Sequence, residues 1–161
     1  MASIAVLGAG SWGSALAIVL ARNGHQVRLW GHHPGHLAVL ARERCNVRYL
    51  PNTRLPDNIL IEGNLNQAVR ACRHVLLAVP SQAFRPLLLQ LKPCMTDLTG
   101  IAWATKGLEL ETGLPLHRVV ADVLGPDLPA AVLSGPTFAG EVAAGQPTAI
   151  TVASDSVEFA A

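Results

Sequence analysis

The chain has 161 residues, half of them hydrophobic and 14% charged, with a mean hydropathy of +0.35. That is enough apolar material for the core of one domain, and it excludes a disordered chain. Twelve Lys and Arg against eleven Asp and Glu leave a net charge of +1, which excludes the basic surface of a general nucleic-acid binder; no apolar run reaches the roughly 18 residues of a membrane span.

Ile4–Leu7 is a short β-prone run ended by Gly8. Ser11–Asn23, rich in Ala, Leu and Ile and followed by Gly24, predicts a helix with a glycine C-cap. Gln26–Trp30 is the next strand, so the first thirty residues form one β–turn–α–β unit with parallel strands and a right-handed crossover. Pro34–Cys45 reads as a helix with Pro34 in its first turn. Residues 46–58, with Pro51 and Pro56, read as irregular. Then come a strand at Ile59–Glu62, a helix at Leu65–Cys72 and an apolar strand at His74–Val79 stopped by Pro80. Ser81 opens a helix to Leu91, and Gly100–Ala104 is a strand. Leu114–Leu124 is a helix ended by Gly125, Ala131–Leu133 a strand, Phe138–Ala144 a short helix and Thr148–Ala153 a final strand.

Strands that are apolar throughout and alternate with helices predict a mostly parallel sheet covered on both faces, a Rossmann-type doubly wound α/β domain spanning residues 1–161. Asp155 followed by Glu158 resembles a capping box with Asp in the Ser/Thr place. One turn of isolated helix is not stable, so a helix opening there reads as the start of something longer.

Gly8-Ala9-Gly10-Ser11-Trp12-Gly13 is a G-x-G-x-x-G between a predicted strand and a predicted helix, the setting in which that spacing carries meaning. Gly8 permits the tight turn, Gly10 lets the backbone approach a pyrophosphate, and Gly13 lets the helix pack closely on the strand. The free N–H groups and positive dipole end of the helix then hold the anion. NAD binders usually carry an acidic residue about 20 residues further on, for the ribose 2′-OH. Here no Asp or Glu precedes Glu43, and the second strand ends Leu29-Trp30-Gly31-His32-His33. Either His32 and His33 line the adenosine ribose, with NADPH accepted at least as well as NADH, or they are solvated loop residues.

Ligands of open parallel sheets bind outside the carboxyl ends of the strands. Val79-Pro80-Ser81 borders the ribose or nicotinamide there, or is a plain turn and N-cap. Lys106, directly after the strand that ends in Trp103-Ala104-Thr105, is placed to attract a phosphate or polarise a carbonyl, or is an ordinary surface lysine. In Ser134-Gly135-Pro136-Thr137-Phe138, Gly135 allows close backbone approach and Thr137 offers a hydroxyl to a substrate oxygen; the alternative is a turn that caps a helix. The six histidines show no metal-ligand spacing. Arg22 is the first basic residue and Gly8 breaks the opening apolar run, so the N-terminus does not read as a secretory signal. Three cysteines, Cys45, Cys72 and Cys94, read as reduced thiols of a cytoplasmic protein.

The stretches GAGSWGSALA (8–17), NGHQVRLWGHH (23–33), RYLPN (48–52), LLAVPS (76–81), WATKGLE (103–109) and LSGPTFAGEVAAGQPTAI (133–150) together resemble the bacterial NAD(P)-dependent glycerol-3-phosphate dehydrogenases. The resemblance implies reversible hydride transfer between sn-glycerol 3-phosphate and NAD(P)+, giving dihydroxyacetone phosphate for glycerophospholipid synthesis. Ser11, Trp12, His32, His33 and Ala139 match its cofactor contacts, and Tyr49 lies near the adenosine side. Lys106 matches a residue touching both cofactor and substrate, and Gly135 and Thr137 match substrate contacts. The resemblance also implies a second, helical domain with the catalytic lysine and the groups that grip the substrate phosphate, neither of which maps onto this chain, and a homodimer. Two rivals stand beside it: a 6-phosphogluconate- or ketopantoate-type dehydrogenase, and a non-catalytic nucleotide-binding module.

Overall fold

The structure, a computed structural model, describes residues 1–95 and 98–160. Positions 96, 97 and 161 of the expected 1–161 domain lie outside the described residues. The first unit is as its residues predict: β1 (Ser3–Leu7), α1 (Ser11–Arg22) and β2 (Gln26–Trp30), with β1 and β2 parallel. There follow α2 (Pro34–Glu43), β3 (Cys45–Asn46), β4 (Leu50–Arg54), β5 (Ile59–Glu62), α3 (Leu65–Arg70) and β6 (His74–Leu77). The second half contains α4 (Ser81–Leu91), β7 (Gly100–Trp103), α5 (Leu116–Leu124), β8 (Ala130–Ser134), α6 (Ala139–Ala143), β9 (Thr151–Ser154) and α7 (Val157–Ala160).

Seven strands form one sheet in the order β5-β2-β1-β6-β7-β8-β9. Every described pairing within this sheet is parallel except β8 with β9. The chain leaves the centre at β1, builds outward to β5, then returns to place β6 on the other side of β1. That reversal makes the carboxyl ends of β1 and β6 the switch point where ligands bind in such sheets.

At its centre both faces of the sheet are buried, which is why β1, β6 and β7 are largely apolar without alternation. On one face Leu7, Leu77, Ile101 and Trp103 pack against α3, α4 and α5, and the Phe84 ring meets Trp103 edge-on at 6.0 Å. On the other, Val6, Leu29 and Leu76 pack against α1, α2 and α6. The inner side of α1 is mostly small, with Gly13, Ser14, Ala15, Ala17 and Ala21 all buried, so the helix lies close on the sheet.

Two expectations need correction. Residues 46–58 are not wholly irregular: β3 and β4 form a two-stranded antiparallel hairpin, after α2 ends early because Arg44 takes a left-handed conformation (φ 50°). Its Leu50, and Leu55 just beyond it, are buried against the α1 side of the core. The terminal helix is capped by Ser156, whose hydroxyl accepts from the Phe159 amide at 3.2 Å, rather than by Asp155. Within the mostly parallel sheet the last strand, β9, pairs antiparallel with β8, with Ser134 opposite Thr151; beside that pairing a Cβ on Gly135 would lie 2.4 Å from the Ala149 carbonyl oxygen.

Candidate functional site

The glycine turn is shaped by two steric demands and one opening. Gly8 has φ +126°, which side chains rarely adopt, and a Cβ there would lie 2.6 Å from the Ala78 carbonyl oxygen. A Cβ on Gly13 would lie 1.8 Å from the Gly8 carbonyl oxygen. Gly10, the N-cap of α1, has nothing within 4 Å of its Cβ direction. The inner glycines therefore serve chain packing, and the outer one faces open space at the positive end of α1.

That space is a cleft of about 410 Å³, formed at the carboxyl ends of β1, β6 and β7 and at the start of α6. Gly10, Ser11, Trp12, Lys106, Thr137 and Ala139 line it together, although they span nearly the whole chain. Val79 and Pro80 border it as well. Lys106 is the one charged side chain among the described lining residues, and no ion pair among the described residues engages it. It also borders a neighbouring groove of about 420 Å³ between β7, β8 and the start of α5. Two buried polar atoms of the site have no partner, the Trp12 indole Nε1 and the Thr137 hydroxyl. A buried donor without an acceptor is costly, so both atoms fit a polar ligand in the cleft.

The loop that carries Lys106 is fastened on both sides. Before it, the Thr105 hydroxyl donates to the Val79 carbonyl at 2.8 Å. After it, Arg85 on α4 grips the buried Glu109 carboxylate with Nε and Nη2 at 2.5 and 3.1 Å, and its Nη1 donates to Asp122 at 2.5 Å. The Thr112 hydroxyl also donates to Glu109. These hydrogen bonds, Arg85 first, hold the Glu109 carboxyl below the ordinary carboxylate range and raise Arg85 above its ordinary value.

Other expected residues stand outside the cleft. His32 and His33 are exposed beyond β2, with ring centroids 3.8 Å apart. Tyr49 is exposed and meets His36 edge-on at 5.2 Å, with the Arg48 guanidinium carbon 4.9 Å from its ring centre. Gly135 is required by the Ala149 carbonyl rather than by the cleft.

Sequence reasoning missed Asn46. It is buried, at 1% exposure, and its side-chain Nδ2 donates to the Ser14 hydroxyl at 2.7 Å and to the Ala9 carbonyl at 3.1 Å, with the Gly10 carbonyl at 3.4 Å. Its Oδ1 accepts from the Tyr49 amide at 3.2 Å. His36, also missed as part of this constellation, places Nε2 3.0 Å from the same Ala9 carbonyl. Asn46 lies in a stretch with no periodic signal, and the acceptors of its Nδ2 are more than thirty residues away.

A family model described as "NAD-dependent glycerol-3-phosphate dehydrogenase N-terminus" matches residues 3–160. A glycerol-3-phosphate dehydrogenase of the NAD(P)+ type from Edwardsiella ictaluri is 55% identical over 160 residues, covering 99% of this chain and 47% of that protein. One from Citrobacter koseri is 55% identical over 159 residues, with the same coverage of 99% and 47%. The crystal structure of a glycerol-3-phosphate dehydrogenase from Coxiella burnetii superposes with a TM-score of 0.93 at 45% identity, over 98% of this chain and 48% of that one. The chain thus spans about half the length of the curated relatives it matches.

Proposed function

The chain belongs to the NAD-dependent glycerol-3-phosphate dehydrogenase N-terminal family, and on that premise we propose that it is the cofactor-binding half of an NAD(P)-dependent glycerol-3-phosphate dehydrogenase. The proposed oxidoreductase interconverts sn-glycerol 3-phosphate and dihydroxyacetone phosphate and feeds glycerophospholipid synthesis. Residues 1–161 are its Rossmann-type cofactor domain. The observation that carries this reading is the cleft itself: residues from opposite ends of the chain converge there around a glycine opening, one cation and two unpartnered buried polar atoms.

The residues fit an NAD(P)(H) molecule. When bound, it would supply or accept the hydride that passes between its nicotinamide C4 and C2 of the substrate. Gly10, Ser11 and the first turn of α1 offer N–H groups to its pyrophosphate. Trp12 and Ala139 wall the cleft, and the Trp12 indole N–H gains an acceptor. His32, His33 and Tyr49 serve the adenosine side. Lys106 attracts the ligand's negative charge and stabilises the charge that grows on the substrate oxygen during ketone reduction. Thr137 and Gly135 are assigned to the substrate. The proton donor is assigned to the part of the longer family chains that this one does not span.

We place the protein in the cytoplasm. The three cysteines are free, and among the described residues no helix is long and apolar enough to cross a membrane. The longer protein is assigned as a homodimer, which sedimentation velocity would check.

Calorimetric titration of the 161-residue chain with NADPH tests the reading, alongside an assay of turnover. Saturable binding with little or no dehydrogenase activity is expected. Absence of binding, or turnover near that of the longer dehydrogenases, would overturn it.

A further inference from the structure

The turn that receives the pyrophosphate is held from behind by a part of the chain with no assigned role. A β-bulge-like irregularity in the β3–β4 pairing falls between Cys45 and Asn46, where the register passes from Cys45 opposite Arg54 to Asn46 opposite Leu50. Such irregularities re-aim side chains, and this one sends the Asn46 amide into the buried space behind the glycine turn. Its orientation is settled by its neighbours. The Oδ1 must accept from the Tyr49 amide, so Nδ2 faces Ser14 and the two carbonyls.

The consequence comes from peptide geometry. In a trans peptide, the C=O of one residue and the N–H of the next point in opposite directions. Asn46 and His36 hold the Ala9 carbonyl inward, so the Gly10 N–H is turned outward. The Gly10 carbonyl is held inward by the Ser14 amide at 3.1 Å and lies 3.4 Å from Asn46, so the Ser11 N–H is turned outward as well. Both outward amides stand at the cleft that Gly10 and Ser11 line.

We infer that Asn46, assisted by His36, is a positioning residue of the cofactor site: it orients the Gly10 and Ser11 amides toward the pyrophosphate by fixing the carbonyls behind them. This rests on the reading of the cleft as an NAD(P)(H) site. A donor is needed at Asn46 because both targets are carbonyl oxygens. Asp has the same shape but presents a carboxylate, which keeps the bond from Tyr49 and repels the turn.

The test is calorimetric titration of the 161-residue chain with NADH, paired with amide NMR shifts of Gly10, Ser11 and Lys106. Wild-type chain is expected to bind and to move all three resonances. Asn46→Ala is expected to weaken binding about tenfold, the scale of one lost hydrogen-bonding group. Asn46→Asp is expected to weaken it at least as much. In both variants the Gly10 and Ser11 amides shift before ligand is added and respond less to it, while Lys106 still responds at saturation. A merely structural role would lower the melting temperature without this local pattern. His36→Phe retains the ring beside Tyr49, removes only the Ala9 contact from a half-buried surface site, and is expected to weaken binding about threefold. It decides the matter if the Asn46 variants do not unfold cooperatively. Unchanged NADH affinity and unmoved Gly10 and Ser11 shifts in a folded variant would overturn the inference and leave the cofactor reading intact. Failure of the wild-type chain to bind NADH would overturn both.

Discussion

Arg85 and Glu109 are joined by two parallel hydrogen bonds, Nε to Oε1 at 2.5 Å and Nη2 to Oε2 at 3.1 Å. The pair ties α4 to the loop three residues beyond Lys106, a fork geometry that fixes direction as well as distance. It accounts for a motif residue, Glu109, that nothing in the sequence separates from its neighbours by role. The loop is therefore a fixed shelf for Lys106, not a free connection.

The first prediction concerns pH. Glu109 is held below its ordinary range chiefly by Arg85 and then by Thr112. A carboxyl depressed in the folded state contributes stability that is fully present above its unfolded value of about 4.3, and loses it as pH falls through the folded value. Arg85, raised above an already high value, stays charged throughout. Glu109→Gln should therefore lower the urea midpoint at pH 7, and the gap to wild type should close as pH falls below about 4. A gap that is constant with pH would remove the ion pair as its cause.

Gly13→Ala and Gly10→Ala should separate folding from binding. The Cβ at position 13 would meet the Gly8 carbonyl at 1.8 Å, whereas the one at position 10 meets nothing within 4 Å. We expect Gly13→Ala to cost more than about 3 kcal/mol, as strain in a packed core does. Gly10→Ala should change stability by less than about 1 kcal/mol while weakening NADH at least about tenfold, because its methyl enters the ligand space. Chemical denaturation and titration of both variants check this.

Cofactor preference should be permissive. No acidic residue precedes Glu43, and Glu62, opposite Trp30 on β5, is held by Arg28 at 3.3 Å and by the Asn64 amide at 3.0 Å. With no carboxylate in β2 itself and the neighbouring Glu62 paired with Arg28, repulsion of a ribose 2′-phosphate there is weak. NADPH should bind with a Kd equal to or below that of NADH. Tight NADH binding with negligible NADPH binding in parallel titrations would refute it.

Lys106→Ala in a complete dehydrogenase should lower kcat/KM by about 10²–10³, the scale of losing one group that stabilises developing charge. Steady-state kinetics would show it. Unchanged kinetics would take Lys106 out of the mechanism.

How far the residues alone reach differs from element to element. Strand β1, the turn, α1 and β2 are legible because each announces itself locally: apolar runs, a helix of small residues, glycines at the turns. Parallel pairing follows, since apolar-on-both-sides strands need helices over both faces. The cleft residues Ser11, Trp12, Lys106, Thr137 and Ala139 were legible from strand ends and motif resemblance, as was the open space at Gly10. Tertiary structure decided the rest. The β3–β4 hairpin has no alternating pattern to mark it; Leu50 and Leu55 find their core partners only when α1 is in place. The antiparallel pairing of β9 with β8, Ser134 opposite Thr151, leaves no trace in composition. The grip of Asn46 on Ala9, Gly10 and Ser14 spans 32 to 37 residues. Local signals record which conformation each segment prefers. Where a buried amide finds its acceptors is set only when distant segments close around one core.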